Sequence, residues 1–255
     1  VNVFDKRNWY LAHCRLSSVG LDILAKSLAK IIIRIKKPAK KVLVLDCDNT
    51  LWGGVIGEDG ISNLALGEDG MGLMFVDFQK VVKKLISEGI LIVLCSKNNE
   101  KDVWDVFKKH QGMILKKNDI SAYKINWKDK AQNLLELSSE LNLDLNSFVF
   151  WDDNPIERDK VKKSIPEVYT VNVPKDVSEW ADLLSSLDSL AKFNITNEDR
   201  KKIKQYKMRA KFNIDAKLQA DENTFLKSIK LKAKKIQVNQ TTVKRASQLS
   251  MKVNQ

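Results

Sequence analysis

Short unbroken apolar runs alternate along the chain with longer stretches whose apolar positions recur every three or four residues. The runs at 42–45, 90–95 and 148–151 have strand length and are apolar at nearly every position, the pattern of parallel strands buried on both faces. Runs at 113–115 and 168–173 predict two further strands. Between them, helical periodicity covers 73–88, 99–110, 128–142, 155–163 and 179–191, with Pro155 in a favoured first-turn position. Upstream, an aromatic segment (Phe4, Trp9, Tyr10) precedes a helix over 21–35 with a basic end, and Pro38 breaks it. The alternation predicts an α/β fold: a Rossmann-like parallel sheet with helices on both faces, plus N- and C-terminal helical extensions. The expected divisions are an N-terminal helical linker at 1–40, a catalytic domain at 41–195 and a basic helical extension at 196–255.

Composition narrows the class. The 255 residues are 44% hydrophobic and 30% charged with 10 Gly and 4 Pro, which excludes collagen-like, low-complexity and wholly disordered chains. No apolar run approaches the ~18–20 residues of a membrane span, so no membrane partner is expected. The chain does not open with Met and shows no signal-peptide pattern, and it reads as a piece of a longer protein. Three widely spaced cysteines (Cys14, Cys47, Cys95) and two histidines argue against a disulfide framework or a zinc site and fit a reducing, cytoplasmic location. The net charge of +12 resides almost entirely in residues 196–255, where 16 Lys/Arg face 5 Asp/Glu. That segment has no aromatic interleaving, and lysine outnumbers arginine, so it reads as a solvated basic face rather than a nucleic-acid site.

Candidate chemistry collects where strands end. The first strand runs into Asp46-Cys47-Asp48-Asn49-Thr50, the second into Ser96-Lys97-Asn98-Asn99, and the strand at 148–151 into Asp152-Asp153-Asn154-Pro155. Open α/β sheets bind ligands at the carboxyl ends of their strands. Any one of these residues could be a helix cap or turn former. Four carboxylates delivered to one edge, however, repel one another unless a cation lies among them, and an oxygen-only ligand set suits Mg²⁺. An aspartate first out of a strand can attack phosphorus, and a second aspartate two residues on can return to the same side as a proton donor and acceptor. Four glycines (Gly53, Gly54, Gly57, Gly60) follow within eight residues and read as tight hairpin turns or a short flap.

These segments resemble, in order, the four motifs of the haloacid dehalogenase (HAD) superfamily: four apolar residues leading into Asp46-x-Asp48-x-Thr50-Leu51, then Ser96, then Lys130 opening a helix, then Asp152-Asp153. A narrower resemblance to the FkbH-like subgroup rests on Leu51-Trp52-Gly53-Gly54-Val55-Ile56-Gly57-Glu58-Asp59-Gly60, Cys95-Ser96-Lys97-Asn98-Asn99, Ile125-Asn126-Trp127-Lys128-Asp129-Lys130 and Asp-Asp-Asn-Pro-x-Glu ending at Glu157. Phe4 to Leu11 is similar to the segment before the domain in that subgroup, and Gln248 to Gln255 to the opening helix of its acetyltransferase-like half.

The resemblance implies a HAD fold with a minimal cap and a Mg²⁺-dependent phosphatase acting through an aspartyl-phosphate. Asp46 would be the nucleophile, Asp48 the general acid and base, and Ser96 and Lys130 the phosphate-holding groups, with Thr50, Lys97 and Asn98 completing the substrate-binding set. Asp46, Asp48 (through its carbonyl), Asp153 and Asp152 would hold Mg²⁺. Its implied substrate is a phosphorylated small molecule, an activated glyceryl phosphate whose acyl unit is loaded onto an acyl carrier protein. A generic small-molecule phosphatase and a non-catalytic HAD scaffold are the alternative readings. For acyl transfer a thiol is needed; strand alternation points Cys47 away from both aspartates and Cys95 away from Ser96, so both read as buried structural thiols.

Overall fold

A strand covered on both faces needs apolar side chains at every position, and three segments meet that demand. In the computed structural model, which describes residues 2–36 and 40–190 with scattered positions between Met208 and Ser247, β1 (Val42–Leu45), β2 (Leu91–Ser96) and β4 (Phe148–Trp151) are buried throughout. With β3 (Ile120–Ile125) and β5 (Tyr169–Thr170) they form one all-parallel sheet in the order β3-β2-β1-β4-β5. Leu45 is in register with Leu94 on one side and Trp151 on the other, so Asp46, Cys95 and Asp152 emerge at one level. The chain first builds outward through β2 and β3, then returns to the other side of β1 for β4, which makes the β1/β4 boundary a topological switch point.

Helices cover both faces, as the strand pattern required. Leu43, Leu45, Ile92 and Leu94 pack with α4 (Gly70–Ser87), α5 (Glu100–Lys109) and α8 (Trp180–Ser186). Val42, Val44, Leu91, Val93 and Cys95 pack with α6 (Lys130–Leu141) and α7 (Pro155–Ser164). On the first face Trp151 meets Phe78 and Trp180 with ring centroids 5.0 and 5.8 Å apart, which anchors the end of β4. At the N-terminus α1 (Lys6–Ala12) is capped by Asp5, whose carboxylate accepts from the Arg7 amide, and α2 (Ser18–Lys36) contains the expected helix. The helical α1 was not anticipated from its aromatic composition.

Two strand expectations need correction. Met113–Leu115 is not a strand; its Met113 and Leu115 side chains are buried, and the amides of Ile114 and Leu115 donate to Gln79 Oε1. The strand lies later, at β3, an edge strand whose adjacent Tyr123 and Lys124 are partly exposed, so its sequence is interrupted by polar groups instead of running apolar. Of the expected strand at 168–173 only Tyr169–Thr170 pairs with the sheet, although Val168, Val171 and Val173 are buried around it.

The glycine-rich segment forms a flap rather than a regular hairpin. Gly53 and Ala65 exchange backbone hydrogen bonds of 3.0 and 2.8 Å, closing a loop that holds the one-turn α3 (Ile56–Asp59) and a second short turn. Gly54 (φ +105°) and Gly60 (φ +70°) occupy conformations that L side chains rarely adopt. Among the described residues no helix is long and apolar enough to cross a membrane. The basic extension expected at 196–255 lies almost wholly outside the described residues.

Candidate active site

Strand alternation decides which side chains meet. Asp46, Cys95 and Asp152 share the parity of the residues that face α6 and α7, and Lys130 opens α6, whose cap Asp129 accepts from the Ala131 amide at 2.8 Å. Lys130 Nζ therefore lies 2.8 Å from Asp46 Oδ2 and 2.6 Å from Asp152 Oδ2, with its side chain 3% exposed. Asp153 joins the group: one carboxylate oxygen each from Asp46, Asp152 and Asp153 lie within 4.8 Å of one another. The Thr50 hydroxyl reaches Asp153 Oδ1 at 3.3 Å, and Arg158 donates to the carbonyls of Asp152 and Asp153 at 2.6 Å each, fixing the loop that carries them.

The electrostatics of the cluster are unbalanced. Burial and the Asp46 charge push Asp152 up to about 7, against the pull of Lys130. Asp153 is raised by burial and then by Asp46. Burial pushes the Lys130 ammonium down, but the charges of Asp46 and Asp152 outweigh it and the net shift is upward. The 2.6 Å contact fixes Lys130 and Asp152 as an ion pair, and a further positive charge beside Asp46 relieves the repulsion that raises Asp152. Asp46 Oδ1 is buried with no hydrogen-bond partner. An unpartnered buried carboxylate oxygen among three convergent carboxylates, all hard oxygen donors, fits a divalent cation.

Asp48 is held apart from that cluster by the flap. Its Oδ1 accepts from Trp52 Nε1 at 2.9 Å and from the Ile56 amide at 3.2 Å, and its Oδ2 accepts from Asn98 Nδ2 at 2.8 Å. Burial raises its pKa despite these donors. Asn98 thus meets Asp48 directly. Lys97 pairs with Glu157 at 2.8 Å. Ser96 is 1% exposed, and its side chain is hydrogen-bonded to the Cys47 thiol. Both strand-end thiols are buried and raised by that burial, and Cys95 Sγ contacts the Lys130 carbonyl at 3.8 Å. Sequence reasoning passed over Trp52, Glu157 and Arg158 as working groups. The signal for the last two was their place in the first turn of α7, four and five residues after Asp153.

The arrangement is similar to a known one. The chain resembles the crystal structure of the N-terminal part of the protein BF1531 from Bacteroides fragilis, which contains a phosphatase domain complexed with Mg. The two share 38% identity over 72% of this chain and 50% of that one, with a TM-score of 0.63. The chain therefore spans about half the length of that neighbour. No protein-family model matches the chain, and no curated protein matches it significantly.

Proposed function

We propose that the chain is a Mg²⁺-dependent phosphohydrolase or phosphotransferase of the HAD type, with Asp46 as nucleophile. The observation that carries this reading is the free, buried Oδ1 of Asp46 inside a carboxylate cluster at the sheet's switch point. The Mg²⁺ bound by the neighbouring structure's phosphatase domain supports the choice of ion. Asp46, Asp152 and Asp153 would hold Mg²⁺ together with the Asp48 carbonyl. When bound, the ion supplies charge neutralisation for the carboxylates and for the phosphoryl oxygens.

The side chains divide the remaining work. An Asp46 oxygen attacks phosphorus, forming an aspartyl-phosphate as the bond to the leaving oxygen breaks. Asp48, protonated more readily than an exposed aspartate, gives its proton to that oxygen. It then accepts a proton from the water that hydrolyses the acyl phosphate and frees Asp46. Asn98 and Trp52 keep its carboxyl oriented. Lys130 aligns Asp46 and offsets phosphoryl charge, while Thr50 steadies Asp153. Ser96 and the first amides of α5 supply donors for phosphoryl oxygens.

The finer reading, on the FkbH-like resemblance, is that the phosphate comes from an activated glyceryl phosphate whose acyl unit passes to an acyl carrier protein. It is favoured by the small insertion between β1 and β2: among the described residues nothing larger than the flap precedes α4. Buried Cys47 and Cys95, with raised thiol pKa values, are poor acyl acceptors, so this region supplies the phosphate chemistry and the thiol lies elsewhere. The test is phosphate release from a panel of phosphate esters and acyl phosphates, with Mg²⁺ and with chelator. Turnover is expected only with Mg²⁺, and Asp46→Asn should abolish it without unfolding the protein. A folded Asp46→Asn variant with the wild-type rate overturns the reading.

A further inference from the structure

A cavity of about 440 Å³ lies along β5, the edge strand on the far side of the sheet from β3. That volume is in the range of small-molecule sites. Its walls include Lys162 in the last turn of α7, Leu183 on α8 and the C-cap of that helix, Leu187. Lys40 also lines it, and the Lys40 amide donates to the Ser189 carbonyl at 2.7 Å, which ties it beside the end of α8. Lys40 precedes β1 and Asp46 follows it, so the two flank the strand at opposite ends. At ~3.3 Å per extended residue that separation is about 20 Å, and the cavity is distinct from the carboxylate cluster.

Two polar groups here lack the partners that their surroundings call for. Lys40 is half-buried, and burial lowers its pKa with no carboxylate pulling the other way. Among the described residues it forms no ion pair. Thr170 Oγ1 is buried with no hydrogen-bond partner, in a strand that pairs with the sheet on one side only. Valine has the shape of threonine without the unmet donor, so packing alone does not account for a hydroxyl there. The helix dipole already favours Lys162 at the end of α7, so the groups left unexplained are Lys40 and Thr170. Glu167 on the same wall is exposed, and against it the two lysines leave the lining net positive.

We infer that this cavity binds a small organic anion, with a carboxylate or phosphate head on a short apolar body. The head accepts from the Lys40 ammonium and from the Thr170 hydroxyl, and the body lies against Leu183 and Leu187. One anion thus supplies both missing partners. Its charge also offsets what burial does to Lys40, because an opposite charge nearby favours the ammonium. The site stands apart from the phosphatase reading and needs no Mg²⁺.

The probes are hexanoate and hexyl phosphate, with hexan-1-ol as the uncharged control, titrated into the full chain without Mg²⁺ and followed by amide NMR shifts. At least one anion should give saturable shifts at Lys40 and from Val168 to Asn172, and the tighter of the two identifies the head group. Hexan-1-ol should bind about tenfold more weakly or worse, the loss of one charge-assisted hydrogen bond. Lys40→Met should weaken the anion by about the same factor, and Lys40→Arg should keep most of the affinity. Thr170→Val should weaken binding several-fold with no loss of stability, and Asp46→Asn should leave it unchanged. No saturable shift at those amides with either anion, or shifts confined to the surroundings of Asp46, overturns the inference. So does equal binding of the alcohol, or wild-type affinity in Lys40→Met or Thr170→Val.

Discussion

Lys130 shows how much one side chain is asked to do. Its ammonium is the close partner of two buried carboxylates, Asp46 and Asp152. Removing one member of a buried pair costs about 3–5 kcal/mol because the charge left behind has no compensation. In chelator, Lys130→Met should therefore lose stability on that scale in urea unfolding, and adding Asp152→Asn should recover part of the loss. A Lys130→Met variant with the wild-type midpoint would show that the pair carries no weight. The three residues of this triangle were legible in the sequence, because each stands at a strand end or a helix start and strand register converts that into proximity. Asn98, Trp52 and Glu157 were not legible in their roles. Each acts through a contact across loops: Asn98 and Trp52 on Asp48 from 50 and 4 residues away, and Glu157 on Lys97 from 60. A sequence pattern shows which residue types are present, and only the folded loops show which of them touch.

At the scale of elements, α4 carries a device that its periodicity hides. Gln79 is wholly buried on a helix otherwise facing the core with Phe75, Phe78 and Val82. Its Nε2 donates to the Leu51 carbonyl at 2.7 Å, just beyond the loop that carries Asp46 and Asp48, and its Oε1 accepts from Ile114 and Leu115 at 3.0 Å each. One amide thus replaces the backbone partners that two irregular segments lack. Gln79→Leu keeps the apolar face but leaves three backbone groups unmet, each worth about 1–3 kcal/mol. Stability should fall by about 3 kcal/mol or more, read as a lower urea midpoint at unchanged slope. A neutral Gln79→Leu would mean that water satisfies those groups. The same clamp accounts for the misread strand: Met113–Leu115 is apolar because it is buried under α4, while its amides are spent on a side chain instead of a sheet. The central strands were legible because burial on both faces leaves no room for polar residues. The edge strand β3 was missed because one side of it meets solvent and the ion pairs of Lys124 with Glu136 and Glu140.

For the whole molecule, the site's charge imbalance links folding, protons and metal. In the folded chain Asp152 is pushed up to about 7, by burial first and by Asp46 second, and Asp48 and Asp153 are raised too, again chiefly by burial. A carboxyl whose folded pKa lies above its unfolded value binds its proton more tightly when folded. Its contribution is fully present below the unfolded value of about 4 and is lost as pH rises through the folded value, near 7 for Asp152. Without metal, the cluster should make the protein less stable at about pH 8 than at about pH 5. A divalent cation competes with those protons for the same oxygens, so it binds more tightly once they have left. Binding to the native state alone raises stability by an amount that grows with ligand concentration over Kd. The melting temperature should consequently rise with millimolar Mg²⁺ much more at about pH 8 than at about pH 5, with salt held at about 0.15 M to screen the basic surface. Thermal melts in chelator and in Mg²⁺ at the two pH values read this directly. The pH dependence of the Mg²⁺ shift should vanish in Asp153→Asn combined with Asp152→Asn. An equal Mg²⁺ shift at both pH values in the wild type would place the ion away from Asp46, Asp152 and Asp153, because only oxygens that exchange protons for metal in this range tie the two together.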